Sequence, residues 1–244
     1  MPSYQTHHYI APLSKPIETT ASIARRPDAP WRVICIPGTP ARKRIFARIM
    51  RRAPDDIEMV TITRPGFASW HDVPETDFKE QVKAIEPFLG DRRTIVLGVS
   101  YGGLLSLNAA LSYQDQIEGV VTVAALVREA YPYGRMMANL GEYDWANRLA
   151  SRQARHVSAE IRGRRAQLDA LFEQLGALNK PVEIIHGDWD TLVPYSDASR
   201  LKALIGENAQ FNTVRRGTHW LEMQTPNQIY AAIRRLIERL DDQK

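Results

Sequence analysis

The sequence predicts an α/β fold, a mostly parallel central sheet flanked by helices, and three observations predict it. Short apolar runs rich in β-branched residues recur at Trp31 to Ile36, Met59 to Thr63, Thr94 to Leu97, Gly119 to Ala124 and Val182 to His186, as expected of strands buried on both faces. Helical patterns lie between several of them, with Phe78, Val82, Ile85 and Leu89 on one face and Ile229, Ile233, Leu236, Ile237 and Leu240 on another. The chain has 244 residues, enough to bury a substantial core as one domain over residues 1–244. Strand and helix alternate, as parallel pairing requires, because each crossover must carry the chain back across the sheet.

One stretch breaks the alternation. Between the strand ending near Ala124 and the one starting at Val182 no strand pattern is present. Ile161, Leu168, Leu171, Phe172 and Leu175 instead fit one face of a helix, and Tyr131, Tyr133, Met136, Met137, Leu140, Tyr143 and Trp145 crowd the part before it. The stretch reads as a small helical lid or cap insertion over approximately residues 127–180. Its second half reads equally well as an ordinary crossover helix with a long loop.

Composition narrows the class further. Hydrophobic residues make up 44% and charged residues 25% of the chain, an ordinary globular mixture that excludes disorder and fibrous structure. The formal charge is +4, from 32 Lys and Arg against 28 Asp and Glu. Arginines crowd Arg42 to Arg52 and Arg148 to Arg165, but no array of stacking aromatics accompanies them, so they read as solvated helix faces and no nucleic-acid partner is expected. Cys35 is the single cysteine, which rules out an intramolecular disulfide and a cysteine-based zinc site and makes it a core thiol. The segment Met1 to His8 lacks a basic-then-apolar leader pattern, and no apolar run reaches the ~18 residues of a membrane span. A cytoplasmic location and no membrane span are expected.

The chemistry begins at Gly98-Val99-Ser100-Tyr101-Gly102, which runs from the strand Thr94 to Leu97 into a helix bearing Leu104, Leu105, Leu107 and Leu111. A serine on such a turn is held in a strained conformation, so the positions two before and two after it must be small. Gly98 and Gly102 meet that need, and Gly103 adds to it. The helix that follows points its free N–H groups at developing negative charge.

A serine hydroxyl is a weak nucleophile at neutral pH and needs a base, itself oriented by a third group. Both types of residue follow in order: Asp188 and Asp190 in His186-Gly187-Asp188-Trp189-Asp190 after one strand, and His219 in Arg216-Gly217-Thr218-His219-Trp220 after the strand-like run Phe211 to Val214. His7, His8, His71 and His156 have no such company, so no metal site is expected, and the chemistry calls for no cofactor.

Together these segments resemble the α/β-hydrolase superfamily over nearly the whole chain, from about Trp31 to Leu240. The resemblance implies the α/β-hydrolase fold, Ser100 as nucleophile, His219 as base and Asp190 as acid, because family members place the acid just before a segment like Leu192 to Pro194. Asp188 is the rival acid, and Glu222, three residues beyond the histidine, is a weaker one. Acyl transfer also requires donors aimed at the tetrahedral oxyanion. Tyr101 supplies one backbone N–H, and Thr39 supplies the other from Ile36-Pro37-Gly38-Thr39-Pro40, which resembles the family's His-Gly loop but carries Pro37 where many relatives have histidine. Pro40 has no N–H to offer. Thr63-Arg64-Pro65-Gly66-Phe67 likewise resembles the family's Asp-Arg-Pro-Gly-Phe turn, with Thr63 in place of the acid.

A serine at the elbow argues against the dehalogenase and epoxide-hydrolase branches, which attack through an aspartate there. The expected reaction is hydrolysis of a carboxylic ester, or a related acyl bond, of a small and partly hydrophobic molecule through an acyl enzyme. An amide, thioester or carbon–carbon bond beside a ketone is the alternative on the same triad, and a receptor that retains the scaffold is the alternative of another class. Met136, Met137, Leu140 and Trp145 are candidate pocket walls, with packing of the lid onto the core the simpler role for most of them. Trp189 and Trp220 adjoin the acid and the base and are candidates for the site mouth.

Overall fold

The computed structural model describes residues 4–39, 43–68, 73–128, 136, 139, 140 and 142–242. Its strands are β1 (Gln5–Ala11), β2 (Ile17–Ala24), β3 (Trp31–Ile36), β4 (Ile57–Ile62), β5 (Arg93–Val99), β6 (Ile117–Val123), β7 (Val182–Gly187) and β8 (Ala209–Val214). Its α-helices are α1 (Ala47–Met50), α2 (Phe78–Val82), α3 (Tyr101–Ser112), α4 (Asp144–Leu149), α5 (Arg152–Leu175), α6 (Ser196–Ile205), α7 (Leu221–Gln224) and α8 (Pro226–Asp241).

The strands form one eight-stranded sheet in the order β1-β2-β4-β3-β5-β6-β7-β8. All pairs from β4 to β8 are parallel, while β1 pairs with β2 and β2 with β4 in antiparallel register. The chain moves from β3 to β4 on one side and then returns across β3 to lay down β5 on the other. Such a reversal leaves a crevice beyond the carboxyl ends of β3 and β5, where ligands bind in open parallel sheets. Ile36 at the end of β3 lies opposite Gly98 near the end of β5, so the segments that leave these strands emerge side by side.

Alternation along the strands makes two apolar layers, because successive side chains leave a strand on opposite faces. Ile34, Ile36, Val60 and Val96 face α2, α3, α5 and α6 through Phe78, Leu104, Leu168 and Leu201. Val33, Cys35, Met59 and Leu97 face α1, α7 and α8 through Ile49, Leu221, Ile233 and Leu236. Cys35 is a buried core thiol.

The helices follow the same logic. Pro226 opens α8, where its missing N–H costs no hydrogen bond and its φ suits a first turn. Ile229, Ile233, Leu236, Ile237 and Leu240 then bury one stripe of it. Ser151 caps α5 by accepting from the Ala154 N–H at 3.1 Å. Ile161, Leu168, Leu171 and Leu175 are buried along α5, as their spacing predicts, but so are His156, Glu160 and Arg164. Burial of Arg164 corrects the expectation of a wholly solvated basic run, since its guanidinium lies over the Tyr101 ring, 5.3 Å from the centroid. Among the described residues no helix is long and apolar enough to cross a membrane.

The chain also forms a β1–β2 hairpin ahead of the strands that apolar runs predict. Most of β1 is exposed and polar, so it carries no apolar run, and pairing along its whole length with β2 makes it a strand. Pro87 shortens the helix expected over Phe78 to Leu89, which is α-helical only to Val82 and continues as a 3₁₀ turn over Lys83–Phe88.

Leu236 of α8 packs closely on Gly119 of β6, where an added Cβ would lie 2.9 Å from Leu236 Cδ2. Leu236→Ala is expected to cost about 2–5 kcal/mol by leaving a void under β6. The change would appear as a lower urea midpoint at unchanged slope.

Candidate active site

Ser100 sits between β5 and α3 with φ 54° and ψ −121°, a left-handed backbone that a side chain occupies only under compulsion. The compulsion comes from close packing. A Cβ on Gly98 would lie 2.0 Å from Gly102 O, and one on Gly102 would lie 2.1 Å from Ile36 O. The Ser100 N–H donates to Val123 O at 2.8 Å, and Ser100 O accepts from Gly103 N at 2.9 Å. The turn thus lifts the hydroxyl above the carboxyl ends of β5 and β6, at the start of α3.

Asp190 and His219 meet at the same end of the sheet, on the loops after β7 and β8. Gly187 and Gly217 let those loops touch: a Cβ on Gly187 would lie 2.1 Å from Gly217 O. His219 Nδ1 and Asp190 Oδ2 are 2.8 Å apart. Asp190 Oδ1 accepts from the N–H groups of Leu192 at 2.9 Å and Val193 at 2.8 Å. Burial by itself would raise the Asp190 pKa, yet the hydrogen bond from His219 and those from the backbone hold it below the ordinary carboxylate value. An ionised Asp190 accepts the Nδ1 proton and leaves Nε2 as the free lone pair. His219 and Ser100 make no hydrogen bond to each other, and such bonds often tighten only when substrate binds.

Neither of the other two carboxyl groups bonds to His219. Asp188 Oδ1 accepts from the Arg216 N–H at 2.5 Å and so closes a turn. Glu222 is fully buried, and neither carboxyl oxygen has a hydrogen-bond partner among the described residues. Sequence spacing did not reveal His186, which is buried with Nε2 2.9 Å from Val193 O and 3.5 Å from Asp190 Oδ2. It braces the loop that carries Asp190.

The loop after β3 presses on the elbow. A Cβ on Gly38 would lie 2.9 Å from Ser100 Cβ and 3.6 Å from Ser100 Oγ, so only glycine fits there. Thr39 follows it, half-buried, and its hydroxyl donates to Glu160 of α5. Tyr101 is fully buried, its phenol accepting from Gln81 Nε2 at 2.9 Å. Arg64 is buried between aromatic rings, its guanidinium carbon 4.8 Å from the Phe67 centroid and 4.5 Å from that of Tyr101.

The sequence matches the profile of the Alpha/beta hydrolase family over residues 33–237. The chain belongs to that family. Among solved structures, this hydrolase is similar to a thermophilic esterase from Thermogutta terrifontis, with TM-score 0.74, 15% identity and coverage of 97% of this chain and 99% of that one. It is similar to a haloalkane dehalogenase from Bradyrhizobium elkani, with TM-score 0.75, 14% identity and coverage of 99% and 100%. It is also similar to a bromoperoxidase from Bacillus anthracis, with TM-score 0.68, 19% identity and coverage of 96% and 100%. No curated protein matches it by sequence. At these identities the likeness is one of fold.

The candidate pocket walls of this hydrolase are placed less simply. Met136, Leu140 and Trp145 are 51%, 37% and 60% exposed, so the core-packing role expected for most of them is not found, and Met137 lies outside the described residues. Trp145 instead lies near Tyr143, ring centroids 6.4 Å apart. Trp189 and Trp220 are exposed beside the acid and the histidine.

Burial raises the Glu222 pKa above its ordinary value, with His219 opposing. A carboxyl that binds its proton more tightly in the folded state contributes fully below its unfolded pKa, and that contribution is lost as pH rises through the folded pKa. Glu222→Gln keeps the neutral shape and removes the loss. Its thermal midpoint should exceed the parent's by a margin that grows once pH passes the ordinary glutamate value of about 4.3, and parallel midpoint curves would refute the assignment.

Proposed function

We propose that this chain is a serine hydrolase that cleaves a carboxylic ester, or a related acyl bond, of a small and partly hydrophobic molecule through an acyl enzyme. The observation that carries the reading is the 2.8 Å contact between His219 Nδ1 and Asp190 Oδ2, at the carboxyl end of the sheet where Ser100 stands in its left-handed turn. It supports a base whose tautomer is set and whose free Nε2 serves the serine.

In the proposed reaction Ser100 Oγ attacks the carbonyl carbon while its proton passes to His219 Nε2. The N–H groups of Thr39 and Tyr101 receive the charge on the carbonyl oxygen, and the dipole of α3 adds to them. His219 returns the proton to the leaving alcohol, and the acyl group stays on Ser100. Water then attacks the acyl carbon and gives its proton to the same nitrogen, and His219 passes that proton to Ser100 Oγ as the acyl–oxygen bond breaks and the acid leaves. A leaving alkoxide that His219 protonates to the alcohol suits this sequence, and a carboxylic ester supplies one. The segment around α4 and α5 serves as a cap over the site, within a single domain, with the exposed Met136, Leu140 and Trp145 available to an apolar group.

A fluorophosphonate probe is expected to label the parent and not Ser100→Ala, read by intact mass. Equal labelling of both would refute the nucleophile, and labelling of neither would refute the hydrolase reading. Asp190→Asn is expected to lower kcat on p-nitrophenyl esters by ~10³–10⁴-fold through the wrong histidine tautomer. Asp188→Asn, which alters only a turn, is expected to stay within about tenfold of the parent, because asparagine keeps an oxygen that accepts from the Arg216 N–H.

A further inference from the structure

A chain of hydrogen bonds, buried except at its first link, runs from one proposed oxyanion donor to the other, and its middle lies outside the sheet. Glu160 is on α5, in the segment between β6 and β7, and is buried. A carboxylate stripped of water must find donors for its oxygens. Oε2 accepts from the Thr39 hydroxyl and Oε1 from Arg64 Nη1. The same Nη1 donates to Gln81 Oε1 at 2.8 Å, and Gln81 Nε2 donates to the Tyr101 hydroxyl at 2.9 Å. The path therefore begins at the side chain of Thr39, crosses α5, the turn after β4 and α2, and ends at the side chain of Tyr101.

We propose that Glu160 is a positioning residue that couples the seat of α5 to the alignment of both oxyanion donors, a proposal that rests on the reading of Thr39 and Tyr101 as those donors. The loop bearing Thr39 is pinned from below where Gly38 meets Ser100. From above, its hydroxyl is held by Glu160. The seat of α5 is itself close-fitting. A Cβ on Gly163, one turn beyond Glu160, would lie 2.4 Å from Thr76 Cβ. Gln167 accepts from the Phe78 N–H at 2.7 Å and donates to Thr76 O at 3.0 Å, which fastens α5 to the start of α2. The helix that carries Gln81 is thus the one on which α5 rests, so a displacement of α5 pulls on both ends of the path together. Oxyanion stabilisation depends on donors that are aligned before the reaction, and a misplacement of about 1 Å can cost ~10²-fold in rate. The coupling makes hydrolysis depend on α5 being seated.

The test uses the whole chain and p-nitrophenyl butyrate, with Thr39→Val, Thr39→Ser, Glu160→Gln and the double variant Thr39→Val with Glu160→Gln. Valine keeps the backbone N–H and the shape of Thr39 but removes the link, while serine keeps the link. Thr39→Val and Glu160→Gln are each expected to lower kcat by about tenfold or more, short of the ~10²–10³-fold lost when a donor is removed outright, with KM within about twofold. The double variant is expected to fall no further than the worse single variant, because both remove one connection, and Thr39→Ser, which keeps the hydroxyl, is expected to lose less kcat than Thr39→Val. Undiminished kcat in Thr39→Val, or additive losses in the double variant, would overturn the proposal while Ser100 still takes a fluorophosphonate label. Thr39→Val keeps the test decisive if Glu160→Gln fails to fold. A parent that neither labels at Ser100 nor turns over the ester would overturn the hydrolase reading and this coupling with it.

Discussion

The arrangement at this end of the molecule depends on one backbone constraint, the left-handed turn at Ser100. It exists because β5 enters and α3 leaves through a space that admits no side chains at positions 98 and 102. The neighbouring strand takes part directly, since a Cβ on Gly102 would strike the carbonyl of Ile36 at the end of β3. The strain is therefore paid by the packing of the parallel sheet, and the serine cannot relax without separating β3, β5 and α3. Gly38 repeats the theme from the other side by letting the loop after β3 lie against the serine's own side chain.

The same close packing sets the electrostatics. Asp190 is nine-tenths buried, where an unpaired charge would be costly, and its two oxygens are spent on His219 and on the Leu192 and Val193 amides. Those bonds outweigh burial and keep it ionised. Glu222, buried three residues beyond the histidine, has no hydrogen-bond donor to its carboxyl oxygens among the described residues, and burial shifts it the opposite way. Two carboxyl groups near one histidine are thus separated by their hydrogen bonds and not by their depth. Arg64 and Glu160 offset each other in the same fashion beside Tyr101.

Much of the parallel half of the sheet was legible because its strands are buried on both faces and must be apolar, as in β3 and β4. The β1–β2 hairpin was not, because an edge strand is held by its ladder and can be polar, as His7 and His8 are. Arg64, Gln81 and Glu160 were invisible as a group. They lie in three segments far apart in the chain, and no local spacing joins them.

The sequence by itself determined the strand-turn-helix at Ser100 and the order of serine, aspartate and histidine, because glycine spacing and hydrophobic period are local properties of the chain. Only the tertiary structure decided between Asp190, Asp188 and Glu222 as the partner of His219. That choice depends on how the loops after β7 and β8 pack, and on a contact between Gly187 and Gly217 that no local pattern records. The path from Thr39 through Glu160 to Tyr101 was decided there too, since a hydrogen bond between residues 121 positions apart exists only once the sheet and α5 have been assembled.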